Sequence, residues 1–313
     1  VIHAFALEPQ LVATWGRREA FRFFHEKFGL GTPRVFLELQ SINKWMKEVR
    51  SEANALGLSE LDMSRIEELH RLFREHKHRR ADAVYDGLRP WLENAEAEYA
   101  RRSFAAILAT QNPRNHDAVL TDEQLGPGTA RWTQSGGDFP ARTADGIRLA
   151  LAPMINNCKQ LHLVDPHFGP ENRRHREVIV ALMQDIESSG RALEVVRIHC
   201  SAKSKLDVFE TEAKNMATRL PAGLSIEFVR WQQRDGGDRL HNRYVLTDVG
   251  GVSLGIGLDA GKEGETDDIS LLTREQYLKR WAQYVDDDGS FECADRPKAI
   301  LGTRSASTGT KRR

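Results

Sequence analysis

Residues 239–259 read Arg239-Leu240-His241-Asn242-Arg243-Tyr244-Val245-Leu246-Thr247-Asp248-Val249-Gly250-Gly251-Val252-Ser253-Leu254-Gly255-Ile256-Gly257-Leu258-Asp259, and the rest of the chain is best read outward from them. Their apolar runs predict two strands across Tyr244 to Leu254. On an extended strand His241, Arg243 and Val245 alternate to one face, so an imidazole and a guanidinium converge on a single anion. Arg243 suits bidentate contact with phosphate oxygens, and His241 suits attack on phosphorus or donation of a hydrogen bond. The competing reading is structural: a histidine ring that caps a strand, with Arg243 paired to Asp248 or Asp259.

Around this stretch short apolar runs alternate with helical periodicity, as in a layered α/β domain. In order, the pattern predicts a helix over 143–157, a strand Leu161-His162-Leu163-Val164, a helix over 171–189, and a strand from Leu193 to Ile198. A helix over 205–219, a strand from Ser225 to Val229 and, beyond the two central strands, a helix over 273–285 complete it. Ligands favour the carboxyl ends of strands in such sheets. Asp165 and His167, just after the first of these strands, and Asp259 are therefore candidate ligand-binding residues. Arg173 and Arg174 open the following helix, where backbone N–H groups already favour anions, and join them as candidates. Lys203 and Lys205 extend a positive rim, against which the carboxylates of residues 261–268 stand.

His241, Arg243 and Asp248 form H-x-R-x-x-x-x-D, which is similar to the H-x-K-x-x-x-x-D motif of phospholipase D superfamily phosphodiesterases, with arginine in place of lysine. A closer likeness is to the phospholipase D-like C-terminal domain of MIT-domain proteins and its bacterial relatives, where His-x-Arg leads into a hairpin ending Gly-x-Gly-Leu-Asp. That ending is Gly255-Ile256-Gly257-Leu258-Asp259 here. Upstream, Leu161-His162-Leu163-Val164-Asp165-Pro166-His167-Phe168 resembles the strand that opens the same fold. The resemblance covers roughly half the chain. It implies an α/β class for that half, a phospholipase D-like mixed sheet flanked by helices.

Phospholipase D chemistry uses two motifs, one histidine as nucleophile and the other as acid for the leaving group. One clear copy is present; His116 begins a fainter echo that is one residue short and lacks the basic residue. A second histidine would come from His167, or from His241 of another copy across a two-fold axis. The resemblance therefore implies a degenerate module binding a partner protein or a phosphate-bearing ligand within a larger assembly, in the bacterial relatives one of phage defence. The alternative is an active phosphodiesterase or nuclease working as a dimer, with catalytic His241, Arg243 and Asp248. Nucleic acid and, less favoured, anionic lipid are the remaining partners considered.

Residues 1–110 are read as a mainly helical module: Phe21, Phe24 and Phe28, then Ile42, Trp45, Met46 and Val49, then Ile66, Leu69, Leu72 and Phe73 recur at helical spacing. The run Phe104 to Ala109 predicts a strand. The basic run Glu75-His76-Lys77-His78-Arg79-Arg80 reads as a solvated helix end, with phosphate contact as the alternative. A polar, glycine-rich linker is expected over 111–140, the phospholipase D-like domain over 141–301, and a disordered basic tail over 302–313.

Lys plus Arg and Asp plus Glu both total 45, so no global field recruits a polyanion and any such site must be a local patch. Cys158, Cys200 and Cys293 are widely spaced and are read as reduced core thiols; neither they nor His162, His175 and His199 have metal-ligand spacing, so no metal or cofactor is expected. No apolar run spans a bilayer and the first residues lack a signal-peptide pattern, which predicts a cytoplasmic rather than an integral membrane protein.

Overall fold

A computed structural model describes residues 1–80, 83–188 and 193–304. The chain divides into two compact units, Val1–Gly136 and Gly137–Arg313. Both are α/β.

The first unit runs β1 (His3–Leu7), α1 (Pro9–Thr14), α2 (Arg18–His25), β2 (Arg34–Glu38), α3 (Ile42–Ala55), α4 (Glu60–Glu75), β3 (Lys77–Arg79), α5 (Trp91–Arg101), β4 (Ala106–Leu108) and β5 (Val119–Leu120). The strands form a parallel sheet in the order β3-β2-β1-β4-β5. Helical residues outnumber strand residues here, and α2, α3 and α4 lie where the periodicity places them. The sheet is what the reading of a helical module omits, apart from β4. In parallel sheets covered on both faces, strands read as short continuous apolar runs such as Phe5-Ala6-Leu7 and Val35-Phe36-Leu37, without the alternation that marks a half-exposed strand.

The basic run after α4 is the edge strand β3 and its continuation. Lys77 pairs with the buried Glu38 at 2.8 Å, and the buried Arg80 pairs with the buried Glu98 at 2.8 Å. These cations answer the unit's own carboxylates. Residues 111–136 belong to this unit instead of forming a linker. They supply β5, and Trp132 is buried against Phe5, Phe24 and Phe28 with the Arg34 guanidinium 4.3 Å above its ring. One large aromatic side chain anchors a stretch whose glycines and polar residues otherwise read as loop.

The second unit runs β6 (Gly137–Asp138), α6 (Ala144–Ile155), β7 (Gln160–Val164), α7 (Arg173–Ser188), β8 (Val195–Ser201), α8 (Leu206–Ala217), β9 (Ser225–Gln233), β10 (Arg243–Thr247), β11 (Gly250–Leu254), β12 (Ile269–Leu271), α9 (Arg274–Tyr284), β13 (Phe291–Cys293) and β14 (Lys298–Leu301). One mixed sheet has the order β13-β9-β8-β7-β10-β11-β12-β6, with β14 also pairing β9. Strands β7, β8 and β9 are parallel; β10, β11, β12 and β6 continue antiparallel. Apolar residues of α6, α7 and α8, among them Leu151, Ile179, Leu182 and Phe209, are buried, as are Leu163, Ile198 and Phe228 on the parallel strands. The unit starts at Gly137 and its described part extends to Arg304. Gly302 donates to the Leu224 carbonyl and Arg304 bridges Pro221, so the expected tail is in part an edge of the fold; residues 305–313 lie outside the described residues. Cys158 and Cys200 are buried, whereas Cys293 is exposed at the short edge strand β13 and is not a core thiol. Among the described residues no helix is long and apolar enough to cross a membrane.

Candidate functional site

The site follows from the register between β7 and β10. Tyr244 stands opposite Val164 and Thr247 opposite Leu161 in an antiparallel pair. The next pair upward brings Arg243 to Asp165, at the carboxyl end of β7. The next pair downward brings Asp248 to Gln160, at the opposite end.

Asp165 is fully buried. Its Oδ1 accepts from the His167 backbone N–H at 2.9 Å and its Oδ2 from the Leu258 N–H at 3.0 Å. The Arg243 Nε lies 3.9 Å from Oδ1, and the His175 Nε2 lies 4.0 Å from Oδ2. One carboxylate thus shapes the Asp-Pro-His turn, holds the Gly-Ile-Gly-Leu turn and faces the guanidinium. Gly257 permits this approach: its φ is +146°, and a Cβ there would stand 2.7 Å from the Asp165 Oδ2.

His167 and His241 stand together at the mouth. Their ring centres are 6.1 Å apart and the rings are perpendicular. Both line an open cleft of about 590 Å³ with Ser201, Lys203, Trp231 and Arg239. Strand β10 begins at Arg243, so His241 projects from the preceding turn and not from the strand itself; the Leu240 N–H donates to the Gln233 Oε1 at 3.3 Å and fixes that turn. Burial first, and the Arg243 charge next, hold the His167 imidazole below its ordinary value, with Asp165 opposing them. An anion seated in the cleft would cancel the Arg243 effect and return proton affinity to that ring.

Asp248, expected to orient the site, does not join it. A five-residue strand separates it from Arg243, on the order of 16 Å at about 3.3 Å per residue. Its exposed carboxylate accepts from the Lys159 and Gln160 N–H groups at 2.7 and 3.1 Å, capping the start of β7. Asp259 is also engaged, between Arg142 at 2.6 Å and Arg174 at 2.9 Å, and Arg142 continues to Glu265 at 2.8 Å. Arg173 is exposed and pairs with Glu177 one turn along α7. Arg174 and Asp259 therefore brace the turn beside the site, and Arg173 lies on a solvated face.

Beneath the cleft is a buried hydrogen-bonded chain. The Trp231 Nε1–H donates to the His199 Nδ1 at 3.1 Å, and the His199 Nε2 meets the His162 Nδ1 at 3.1 Å. Since Trp231 can only donate, neutral His199 carries its proton on Nε2 and donates to His162. Burial, reinforced by Arg197, pushes His162 down to about 4, and burial pushes His199 well below its ordinary value. Both bases bind protons more weakly folded than unfolded. Their stabilisation is therefore complete above the ordinary histidine value of 6.5 and is lost as pH falls from there toward 4. For His162 alone the span is worth about 3 kcal/mol, at roughly 1.4 kcal/mol per pH unit. Urea unfolding followed by Trp fluorescence should show that loss between pH 7 and pH 4, and His162→Asn, whose side-chain carbonyl can accept the same bond, should shrink it.

Solved structures of three other proteins are similar to this chain. They are the phospholipase D family member Nuc from Salmonella typhimurium, at 10% identity and a TM-score of 0.34, covering 51% of this chain and 98% of that one; phosphatidylserine synthase from Haemophilus influenzae Rd KW20, at 12% identity and 0.34, covering 52% of this chain; and polyphosphate kinase from Porphyromonas gingivalis, at 12% identity and 0.34, covering 68% of this chain. The alignment spans 40% of the synthase and 35% of the kinase. No family model and no curated protein matches the chain.

Three residues that build the site carried no sequence signal of that role. Arg142 is a lone arginine whose partners stand more than a hundred positions away. Asp267, read as part of an opposing acidic run, is buried and accepts from the Ile256 N–H at 2.9 Å, capping the Gly-Ile-Gly turn. His175, weighed above only as a metal ligand, is buried behind Asp165 with its Nδ1 accepting from the Gly169 N–H at 3.3 Å.

Proposed function

We propose that the second unit is a phospholipase D-like module whose cleft holds a phosphate-bearing ligand through His167, His241 and Arg243. The observation that carries this reading is the state of Arg243. Its side chain is 19% exposed, its nearest carboxylate is 3.9 Å away, and its buried Nε–H has no hydrogen-bond acceptor among the described residues. An unpaired buried guanidinium donor is costly, and the part of the same guanidinium that stays exposed is open to a tetrahedral oxyanion beside the two imidazoles. Lys203 and Arg239 add positive charge along the same cleft. A small soluble phosphate ester is preferred over an extended nucleic acid or a lipid surface, because a chain of zero net charge gives either polyanion little long-range attraction.

The wider setting is proposed from the resemblance alone: a cytoplasmic component of a larger assembly with a partner protein, in bacterial phage defence. A second reading is favoured by the second imidazole, namely turnover of a phosphodiester with His241 as nucleophile.

Sulfate, a tetrahedral dianion whose charge is constant between about pH 5 and 8, tests the binding reading directly. Because a bound anion raises the proton affinity of His167, binding is tightest at low pH and weakens as pH rises through the value that ring has in the complex. Calorimetry on the full chain should show affinity falling by up to about tenfold per pH unit across that window. Affinity that is flat with pH, or absent, would remove His167 from the site.

A further inference from the structure

A histidine that attacks phosphorus forms a P–N bond, and an alkoxide leaving group must receive a proton as its P–O bond breaks. With a single His-x-Arg motif, the proton carrier comes either from a second copy of the chain or from His167 of the same one. The cleft already contains another imidazole. We propose that the site is complete within one chain, with His241 as nucleophile and His167 as the proton carrier. This rests on the phosphate-site reading above.

The placement of His167 is built into the fold. Its backbone N–H is held by the Asp165 carboxylate at 2.9 Å, and the preceding Pro166 carbonyl accepts from the Ser201 N–H and hydroxyl on β8. The turn is therefore tied to two strands before any ligand arrives. The spacing also suits chemistry. The hydrogen-bonded rings of His162 and His199 have centres 5.3 Å apart, whereas His167 and His241 stand at 6.1 Å, perpendicular, with no hydrogen bond between them. In-line transfer needs a phosphorus about 3 Å from one nitrogen and a leaving oxygen about 2.7 Å from the other, which requires separated rings. The other groups facing the pair are Arg243 from β10, Asp165 from the end of β7, Lys203 from the loop after β8 and Arg239 from the loop after β9. The arginines are permanently cationic and Asp165 is occupied by backbone donors. Ser201 spends its hydroxyl hydrogen on Pro166.

The steps balance. The neutral His241 nitrogen attacks phosphorus, the P–O bond to the leaving group breaks, and the departing oxygen takes the proton of His167 to give an alcohol. Water then gives a proton to the now neutral His167 while its oxygen attacks phosphorus and the P–N bond breaks. The products are an alcohol and a phosphomonoester, and both imidazoles return to their starting states.

Two substrates separate the roles. Thymidine 5′-(p-nitrophenyl phosphate) loses p-nitrophenolate, which departs without a proton, whereas a dithymidine phosphodiester must release an alcohol. The wild-type full chain is expected to cleave both, at a rate per chain independent of protein concentration. His167→Ala and His167→Gln should slow dinucleotide cleavage at least about 100-fold. With the aryl ester they should release one equivalent of p-nitrophenolate within about tenfold of the wild-type single-turnover rate, then stall with thymidylate bound covalently to His241, visible by mass spectrometry. His241→Ala should lose both activities and the adduct. The proposal is overturned if both His167 variants affect the two substrates equally or not at all, or if the rate per chain rises with concentration as a dimer forms. It also falls if folded wild-type protein cleaves neither substrate. In that event sulfate binding through Arg243 leaves the phosphate-site reading standing, and no binding removes both.

Discussion

Replacing Arg243 by alanine is expected to weaken sulfate binding about 100-fold, close to 2.8 kcal/mol at 1.4 kcal/mol per tenfold, and to leave the fold intact. The binding loss follows from removing the guanidinium fork and its fixed positive charge from a largely buried position. Tolerance of the fold follows from Asp165. Losing Arg243 leaves that buried carboxylate with the backbone N–H groups of His167 and Leu258, so it is not stranded. Arg243→Lys keeps the charge but not the fork, and should recover part of the affinity, with a loss nearer tenfold. Calorimetry of the three proteins checks the series, and circular dichroism checks the fold. Equal affinity in all three would place the anion elsewhere.

The second large effect is expected at Gly257. Alanine there combines a backbone conformation that L-residues rarely adopt with a Cβ 2.7 Å from the Asp165 Oδ2 and 3.5 Å from the Arg243 Nε. Something must shift, and what stands nearest is the carboxylate that organises the site. The expected cost is about 2–4 kcal/mol of stability, with a fall in Tm of roughly 2–4 °C per kcal/mol for a unit of this size. Sulfate affinity should drop as well, since moving Asp165 releases both Leu258 and the His167 turn. Gly223→Ala is the matched control. Its φ is +83°, but nothing lies within 4 Å of the added Cβ, so only the backbone strain of about 1 kcal/mol applies. Thermal unfolding of the two variants separates the clash from the strain.

Features written locally in the chain were legible in its sequence. The helices of the second unit announce themselves through periodicity. The strand before Asp165 and the two strands after Arg243 are short apolar runs bounded by turn residues. His241 and Arg243 are two residues apart, so their convergence needs only an extended backbone, even though His241 proves to sit in the turn. Nearness in sequence misled at Asp248, because a strand carries its residues away from each other faster than any other element. It was uninformative for Asp165, where four contacts come from β10, α7 and two turns, and for Arg142, whose carboxylates lie more than a hundred positions further along the chain. The sheet of the first unit was obscured for a different reason. Its strands are at most five residues long and buried on both faces, which removes the alternation by which a strand is usually recognised.

The site also explains the two chemically different surroundings of the second unit's histidines. His162 and His199 are sealed beneath Trp231 and held neutral by burial, while His167 and His241 are exposed, unbonded to each other and next to a guanidinium. The first pair stabilises the sheet under the cleft. Of the second pair, His167 is placed to take up a proton when an anion binds.

The most direct test is therefore a sulfate titration of the full chain with ¹⁵N-labelled histidine, following the ring nitrogens by long-range ¹H–¹⁵N correlation near neutral pH. Of the 11 histidines, His167, assigned by substitution, should shift saturably toward the protonated form and the His241 ring signals should move in step with it, while His162 and His199 stay in place. Saturable shifts at other histidines, with these two unmoved, would contradict the claim that this cleft is a phosphate site.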